Sequence, residues 1–247
     1  MINRTLPVFF FLTLVSFLTS GQPFQWIFKT TGLPQLSNSR FAIGDLDNDN
    51  DQDIIITGTT NNGTYSSGIY RNNGDTTFTQ MGLLFTPAII EGDIALGDYN
   101  LDSYLDFIIS GISSAGKKYT WLCKNNKNGT FSYVNTPFDS VAYGTIKWHD
   151  FDNDGDPDVF LSGQNNKNIR VANIYINNGT AGFTLQPDKG LPGFSNGSAV
   201  LADFNNDLKT DVAISGFNNN NEIITQVYYY TANGTYDLQP FLLPQVY

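Results

Sequence analysis

Cysteine and histidine are almost missing from this chain of 247 residues, which holds one of each, Cys123 and His149. A single cysteine excludes an internal disulfide, and within the strand-like run Trp121-Leu122-Cys123 it reads as a small core residue. With Cys123 read as core, the sequence offers no Cys–His pair for nucleophilic chemistry. There is also no Gly-x-Ser-x-Gly elbow and no glycine-rich phosphate loop after a strand. His149 adjoins Asp150, but Ile146 and Trp148 place it at a strand end, where it reads as structural. The expectation is that the chain is not an enzyme. Basic residues are scarce: 13 Lys and Arg stand against 23 Asp and Glu, for a net charge of −10. Without a basic patch to release counterions, no nucleic-acid partner is expected. Long apolar runs are confined to Leu6–Leu18, which is too short to span a bilayer comfortably. With Arg4 before it and Thr19-Ser20-Gly21 after, residues 1–21 read as a secretory signal, a retained N-terminal anchor being the alternative. Residues 22–247 then form a secreted or cell-surface chain with no transmembrane segment.

What the sequence has in quantity is Asp at alternate positions. The run Asp150-Phe151-Asp152-Asn153-Asp154-Gly155-Asp156-Pro157-Asp158 puts five carboxylates on every second residue. Like charges this close repel by several kcal/mol unless a cation sits among them. A hard divalent cation takes six to eight oxygens, which a tight loop supplies from positions 1, 3, 5, 7 and 9. An isolated loop of this kind reads equally well as a solvated acidic turn, but three more copies accompany it. They run from Asp45 through Asp47, Asp49 and Asp51 to Asp53, from Asp98 through Asn100, Asp102 and Tyr104 to Asp106, and from Asp203 through Asn205, Asp207 and Lys209 to Asp211. The starts at 45, 98, 150 and 203 fix a period of 52–53 residues, the mark of a repeat architecture. Sixteen of the 23 acidic residues lie in these loops, so the acidity is local.

Each loop is preceded by a short apolar run such as Phe41-Ala42-Ile43-Gly44. Each is followed by an apolar triplet and a Ser/Thr-Gly pair, as in Ile54-Ile55-Ile56-Thr57-Gly58 and Val159-Phe160-Leu161-Ser162-Gly163. A third strand (Gly68–Arg71, Tyr119–Lys124, Asn173–Ile176, Val227–Tyr230) and an Asn-Gly turn come next. Short apolar runs broken by Asn-Gly, with 14% aromatic and only 15% charged residues, predict an ordered all-β protein. Four strands in about fifty residues match one blade of a β-propeller. Lead segments begin at Phe24, Phe78, Phe131, Phe183 and Tyr236, with Phe24, Trp26 and Phe28 alternating as on a half-buried strand. Five lead segments against four loops predict either a fragment, incomplete at its C-terminus, or an irregular arrangement with open blade edges.

The Gly-Asp start, the alternating Asp/Asn run ending in Asp, the apolar triplet with Gly and the Tyr/Asn-Asn-Gly/Phe segment resemble the FG-GAP or VCBS repeat family. That family includes the N-terminal propeller of integrin α chains. The resemblance covers essentially all of 22–247 in four copies. It implies a Ca²⁺ in each loop, up to four ions, held by side chains at positions 1, 3, 5 and 9 and a main-chain carbonyl at position 7. The implied side-chain ligands are Asp45, Asp47, Asp49 and Asp53; Asp98, Asn100, Asp102 and Asp106; Asp150, Asp152, Asp154 and Asp158; and Asp203, Asn205, Asp207 and Asp211. The carbonyls are those of Asp51, Tyr104, Asp156 and Lys209.

Position 6 needs a sharp turn with positive φ, which Gly155 and Asn50 suit, Ser103 less so and Leu208 poorly. Loops one and three, which also keep all their ligand carboxylates, rank as the best sites and loop four as the weakest. Structural calcium is favoured over an ion that bridges a ligand, and magnesium is disfavoured by its demand for a strict, hydrated octahedron. The expected function is a non-catalytic binding or adhesion module for an extracellular protein or glycan. A lectin-like propeller and an accessory domain of a larger secreted enzyme are the alternatives. Asn62, Asn128, Asn178, Asn196 and Asn233 head Asn-x-Ser/Thr sequons, glycan sites in a eukaryote and plain turn chemistry in a bacterium.

Overall fold

In the computed structural model the described residues are 31–81 and 86–240. The signal segment 1–21 and the alternation at Phe24, Trp26 and Phe28 lie outside them. Among the described residues eighteen strands make four antiparallel meanders, each in the spatial order of the chain. Blade 1 holds β1 (Leu36–Gly44), β2 (Asp53–Thr60), β3 (Tyr65–Asn72) and β4 (Phe78–Met81). Blade 2 holds β5 (Ile89–Ile90), β6 (Ile94–Gly97), β7 (Asp106–Ser113), β8 (Lys118–Asn125) and β9 (Phe131–Val134). Blade 3 holds β10 (Val141–Ala142), β11 (Ile146–His149), β12 (Asp158–Asn165), β13 (Arg170–Asn177) and β14 (Phe183–Leu185). Blade 4 holds β15 (Phe194–Ala202), β16 (Asp211–Asn218), β17 (Ile223–Tyr230) and β18 (Tyr236–Leu238). These are blades of a β-propeller or of an arc of one. Among the described residues no helix is long and apolar enough to cross a membrane.

The strand phase corrects one expectation. The segments beginning at Phe78, Phe131, Phe183 and Tyr236 do not open new units. They are the fourth strands β4, β9, β14 and β18 that close blades 1 to 4. Among the described residues four loops therefore accompany four meanders, and the strand at Tyr236 closes the fourth.

The apolar triplets do not alternate with polar residues because blade packs against blade, covering both faces of the two middle sheets and one face of each end sheet. Ile108 and Leu122 of blade 2 pack toward blade 3, in a cluster with Val141, Ile146, Val159, Leu161 and Tyr175. Phe107, Ile109 and Cys123 face the other way, with Leu46, Ile55 and Ile69 of blade 1. Phe160 and Ile174 of blade 3 meet Phe194, Ala199, Val212 and Ile214 of blade 4. Three apolar layers thus join the four blades in sequence. Cys123 is buried, and that burial pushes its thiol pKa up, as befits a core residue.

The glycine after each triplet has a packing reason. The innermost strand of every blade carries a bulge seven residues before the acidic loop, at Asn38, Glu91, Tyr143 and Asn196, with φ of 49°, 56°, 59° and 52°. The bulge presses the innermost strand onto its neighbour. A Cβ on Gly144 would stand 1.7 Å from the Ser162 carbonyl oxygen, and one on Gly163 2.7 Å from that of Ala142. Around the bulges the blades are stitched edge to edge: the Tyr143 N–H donates to Glu91 O at 2.5 Å and the Asn196 N–H to Tyr143 O at 2.6 Å.

Replacing Gly144 by Ala should lower the unfolding free energy by about 2–4 kcal/mol, because backbone rather than a side chain must yield. Gly63→Ala, at an open turn with φ 76°, should cost only about 1 kcal/mol. Urea denaturation followed by tryptophan fluorescence compares the two.

Candidate metal centres in the acidic loops

Each loop joins the innermost strand of a blade to its second strand, and the same hydrogen bonds recur in all four. The position-1 carboxylate accepts the N–H groups of positions 5 and 6. Asp45 takes them from Asp49 and Asn50 at 3.1 and 2.8 Å, and Asp98 from Asp102 and Ser103 at 2.9 and 2.7 Å. Asp150 takes them from Asp154 and Gly155 at 3.2 and 3.0 Å, and Asp203 from Asp207 and Leu208 at 3.2 and 2.9 Å. The position-5 carboxylate accepts the N–H of position 7, from Asp51, Tyr104, Asp156 and Lys209 in turn. In loops two and four the position-3 amide oxygen, on Asn100 or Asn205, also accepts the position-5 N–H.

The position-9 aspartates, Asp53, Asp106, Asp158 and Asp211, open the second strands and are fully buried. One oxygen of each accepts an N–H at the end of the third strand, from Asn72, Asn125, Asn177 and Tyr230 at 2.7–2.9 Å. The other oxygen of Asp53, Asp158 and Asp211 takes the position-2 N–H of Leu46, Phe151 and Phe204. These carboxylates therefore lock loop to sheet as well as facing the candidate site.

Two left-handed residues make the curl. Position 6 has φ of 71°, 69°, 97° and 65° at Asn50, Ser103, Gly155 and Leu208, so all four loops adopt the expected turn, including the two with ill-suited residues. Position 4, at Asn48, Leu101, Asn153 and Asn206, is left-handed too, with φ of 62°, 55°, 62° and 62°. Sequence reasoning passed over position 4, although Asn in three of four copies was the available signal. Outside Gly and Asn such a backbone costs about 1–2 kcal/mol per residue, so loop two carries the strain at Leu101 and Ser103 and loop four at Leu208.

Carboxylate oxygens of Asp45, Asp47 and Asp49, and again of Asp150, Asp152 and Asp158, lie within 4.8 Å of one another. That spacing lets one ion touch all three at 2.3–2.6 Å. These are loops one and three, the pair ranked best on charge. Buried oxygens without a hydrogen-bond partner cluster here as well: Asp47 Oδ1, Asp106 Oδ2 and Asp156 Oδ1. A buried carboxylate oxygen left alone is costly, and an all-oxygen donor set is what a hard cation takes. The residues present therefore fit a metal ion. At position 7 the Lys209 ammonium lies over the Tyr230 ring, 5.8 Å from its centroid, which suits a main-chain role. In loop three, however, the Asp156 side chain itself is turned inward.

Two cations that the loop pattern did not include complete the electrostatics. Lys127 Nζ lies 3.4 Å from Asp102 Oδ2 and donates to the Asp102 carbonyl at 3.3 Å, while Arg71 stands 4.0 Å from Asp47. Lys127 thus competes for loop two. His149 bonds through Nε2 to the Thr210 hydroxyl of the fourth loop, bridging blades 3 and 4.

Burial, reinforced by neighbouring carboxylates, pushes Asp106 up to about 7 and Asp158 up to about 6, from an ordinary 3.8. The ion-free fold therefore holds protons that the unfolded chain gives up. Its stability must fall as pH rises from about 4 toward 7. In chelator the thermal midpoint should be higher at pH 5 than at pH 7.5. Saturating metal should reverse that order, since the ion displaces the protons. Asp158→Asn should destabilise even in chelator, because its amide would turn an N–H toward backbone N–H donors. Asp152→Asn, which copies loops two and four, should instead lower metal affinity with little effect on the ion-free protein. Calorimetry with and without metal separates the two.

No curated protein is significantly similar to the chain. A family profile described as FG-GAP-like repeat matches residues 45–109, 98–161 and 150–214. Each match opens on one acidic loop and runs through the next loop into its apolar triplet, crossing a blade boundary. The matches together cover more than half of the 247 residues, and the chain belongs to the FG-GAP-like repeat family.

Proposed function

We propose that this protein is a calcium-stabilised propeller of the secreted or cell-surface kind, acting as a non-catalytic binding module for an extracellular protein or glycan. The observation that carries the reading is the fourfold recurrence of one oxygen-lined loop, with buried carboxylate oxygens that have no protein partner in loops one to three. Calcium suits the site better than magnesium, since it accepts six to eight oxygens in irregular geometry, whereas magnesium demands a near-ideal octahedron and keeps several waters. When bound, the ion neutralises the clustered carboxylates. The chain's own groups preform the curl: position 1 gathers two N–H groups, and position 9 fixes the loop to the sheet.

A glycan as ligand is favoured by one further feature. A cavity of about 580 Å³ opens beside the bulges, lined from all four blades by Asn38, Tyr65, Glu91, Tyr143 and Asn196 among others. Tyrosine rings with amide and carboxylate groups suit stacking on, and hydrogen bonding to, a sugar. Binding on a glycan array that Tyr143→Ala abolishes would favour this reading, and calcium-dependent capture of a protein would favour adhesion.

The decisive experiment is the thermal midpoint in millimolar calcium and in chelator. Two sites at about 100 times their dissociation constant contribute about 5 kcal/mol, or about 10–20 °C for a chain of this size. Asp154→Ala should lose part of that gain, and an unchanged midpoint would refute the role of calcium.

A further inference from the structure

Beside the apolar layers and the hydrogen bonds at the bulges, blade-to-blade contact in this molecule includes two recurrent devices built on asparagine. The first is an asparagine at the end of the third strand, 27 residues after the loop start, reaching back to the loop of the preceding blade. Asn125 Nδ2 donates to Leu46 O at 2.7 Å, and Asn177 Nδ2 to Tyr99 O at 2.8 Å. The second is an asparagine at the hairpin between the second and third strands, 16 residues after the loop start. It clasps both main-chain groups of a residue on the preceding blade. Asn166 Oδ1 accepts the Lys118 N–H at 2.9 Å while its Nδ2 donates to Lys118 O at 3.0 Å. Asn219 does the same to Arg170, at 2.8 and 2.9 Å.

Blade 1 carries both devices, yet among the described residues no blade precedes it. Its third-strand asparagine is Asn72, whose Nδ2 donates within its own blade to Gln52 O at 3.2 Å. The partners of that internal bond have counterparts in Asn125 to Leu105 O and Asn177 to Pro157 O. The second Nδ2 hydrogen of Asn72 is the one that would reach back. Its hairpin asparagine is Asn61, exposed, with a long 3.5 Å contact to Gln35 Oε1. The matching acceptors stand at the other end of the arc. Phe204 O of blade 4 is the counterpart of Leu46 O and Tyr99 O, and Ile223 is the counterpart of Lys118 and Arg170.

The apolar surfaces agree. Phe41 is 62% exposed, whereas its counterparts Ile94, Ile146 and Ala199, packed against a preceding blade, are at most 9% exposed. At the far end Phe204 is 41% exposed, against 2% for its counterpart Leu46 under blade 2. Val200 and Ile43 are exposed beside them.

We infer that the two open faces join head to tail between two copies of this chain, blade 4 of each on blade 1 of the other, closing a ring of eight blades. The occupant is a second copy because the open faces carry the two halves of contacts this chain already makes between its own blades, each asparagine device twice. In the ring, Asn72 bonds to Phe204 O and Asn61 clasps Ile223 of the neighbouring copy. Eight blades lies within the range propellers adopt. Two identical contacts close the ring, so the second forms at the high effective concentration set by the first. This inference is independent of the ligand and of which ion the loops hold.

Sedimentation velocity of the whole chain in calcium should give a mass about twice the 27.3 kDa monomer. Asn61→Ala with Asn72→Ala should raise the dissociation constant at least about tenfold, and Phe41→Asp should yield monomer. Far-UV circular dichroism verifies that each remains folded. Asn61→Ala alone, at an exposed hairpin, tests the clasp without touching the core. Leu185→Asp, exposed on β14, should leave the mass unchanged. A folded monomer at about 100 μM, as when residues 22–30 or 241–247 of the same chain cover the faces, overturns the inference. So does an open series of polymers, or a dimer indifferent to Phe41→Asp and to the asparagine variants.

Discussion

Everything in this molecule hangs on a buried aspartate at the head of each second strand. Asp53, Asp106, Asp158 and Asp211 each bind the end of the third strand through one carboxylate oxygen, and three of the four bind the start of the loop through the other. Hydrogen bonds to a charged group are each worth about 1.5–3 kcal/mol, which is enough to pin a nine-residue loop against the sheet. The same burial makes the ionised group expensive, as the upward shifts at Asp106 and Asp158 record. A cation among the neighbouring carboxylates would resolve that tension and would make loop folding and metal binding one event.

The blade interfaces follow from this arrangement. Once the loop is fixed, its position-2 residue is presented to the next blade. Leu46 enters the first apolar layer, while Tyr99 and Phe151 pack against the second and third. The carbonyl of that same residue receives the asparagine of the following blade at the first two interfaces. An acidic loop is therefore a joint between blades as well as a candidate metal site. That coupling gives a structural reason for charged loops to recur at every blade.

Much of this was legible in the chain itself. The 52–53-residue period, the Asp alternation and the apolar triplets led to four-stranded blades and to the loops most suited to an ion, because those features are local and repeated. The phase of the blades was not legible. Phe78 and Tyr236 look like openings of new units, and only pairing with β3 and β17 makes them closing strands. Lys127 and Arg71 also escaped notice, since neither lies in a loop and only hairpin geometry brings them to Asp102 and Asp47.

The sequence alone determined the repeat, the all-β class and the residues that could hold an ion, because side-chain type and spacing along one loop settle those matters. Tertiary structure decided which carboxylate is buried, which oxygens have no protein partner, and which asparagines reach across to another blade. Those depend on groups dozens of residues apart being brought within 3 Å, as Asn125 and Leu46 are. Proximity of that kind is set by packing between sheets, and no reading of the repeat one copy at a time contains it.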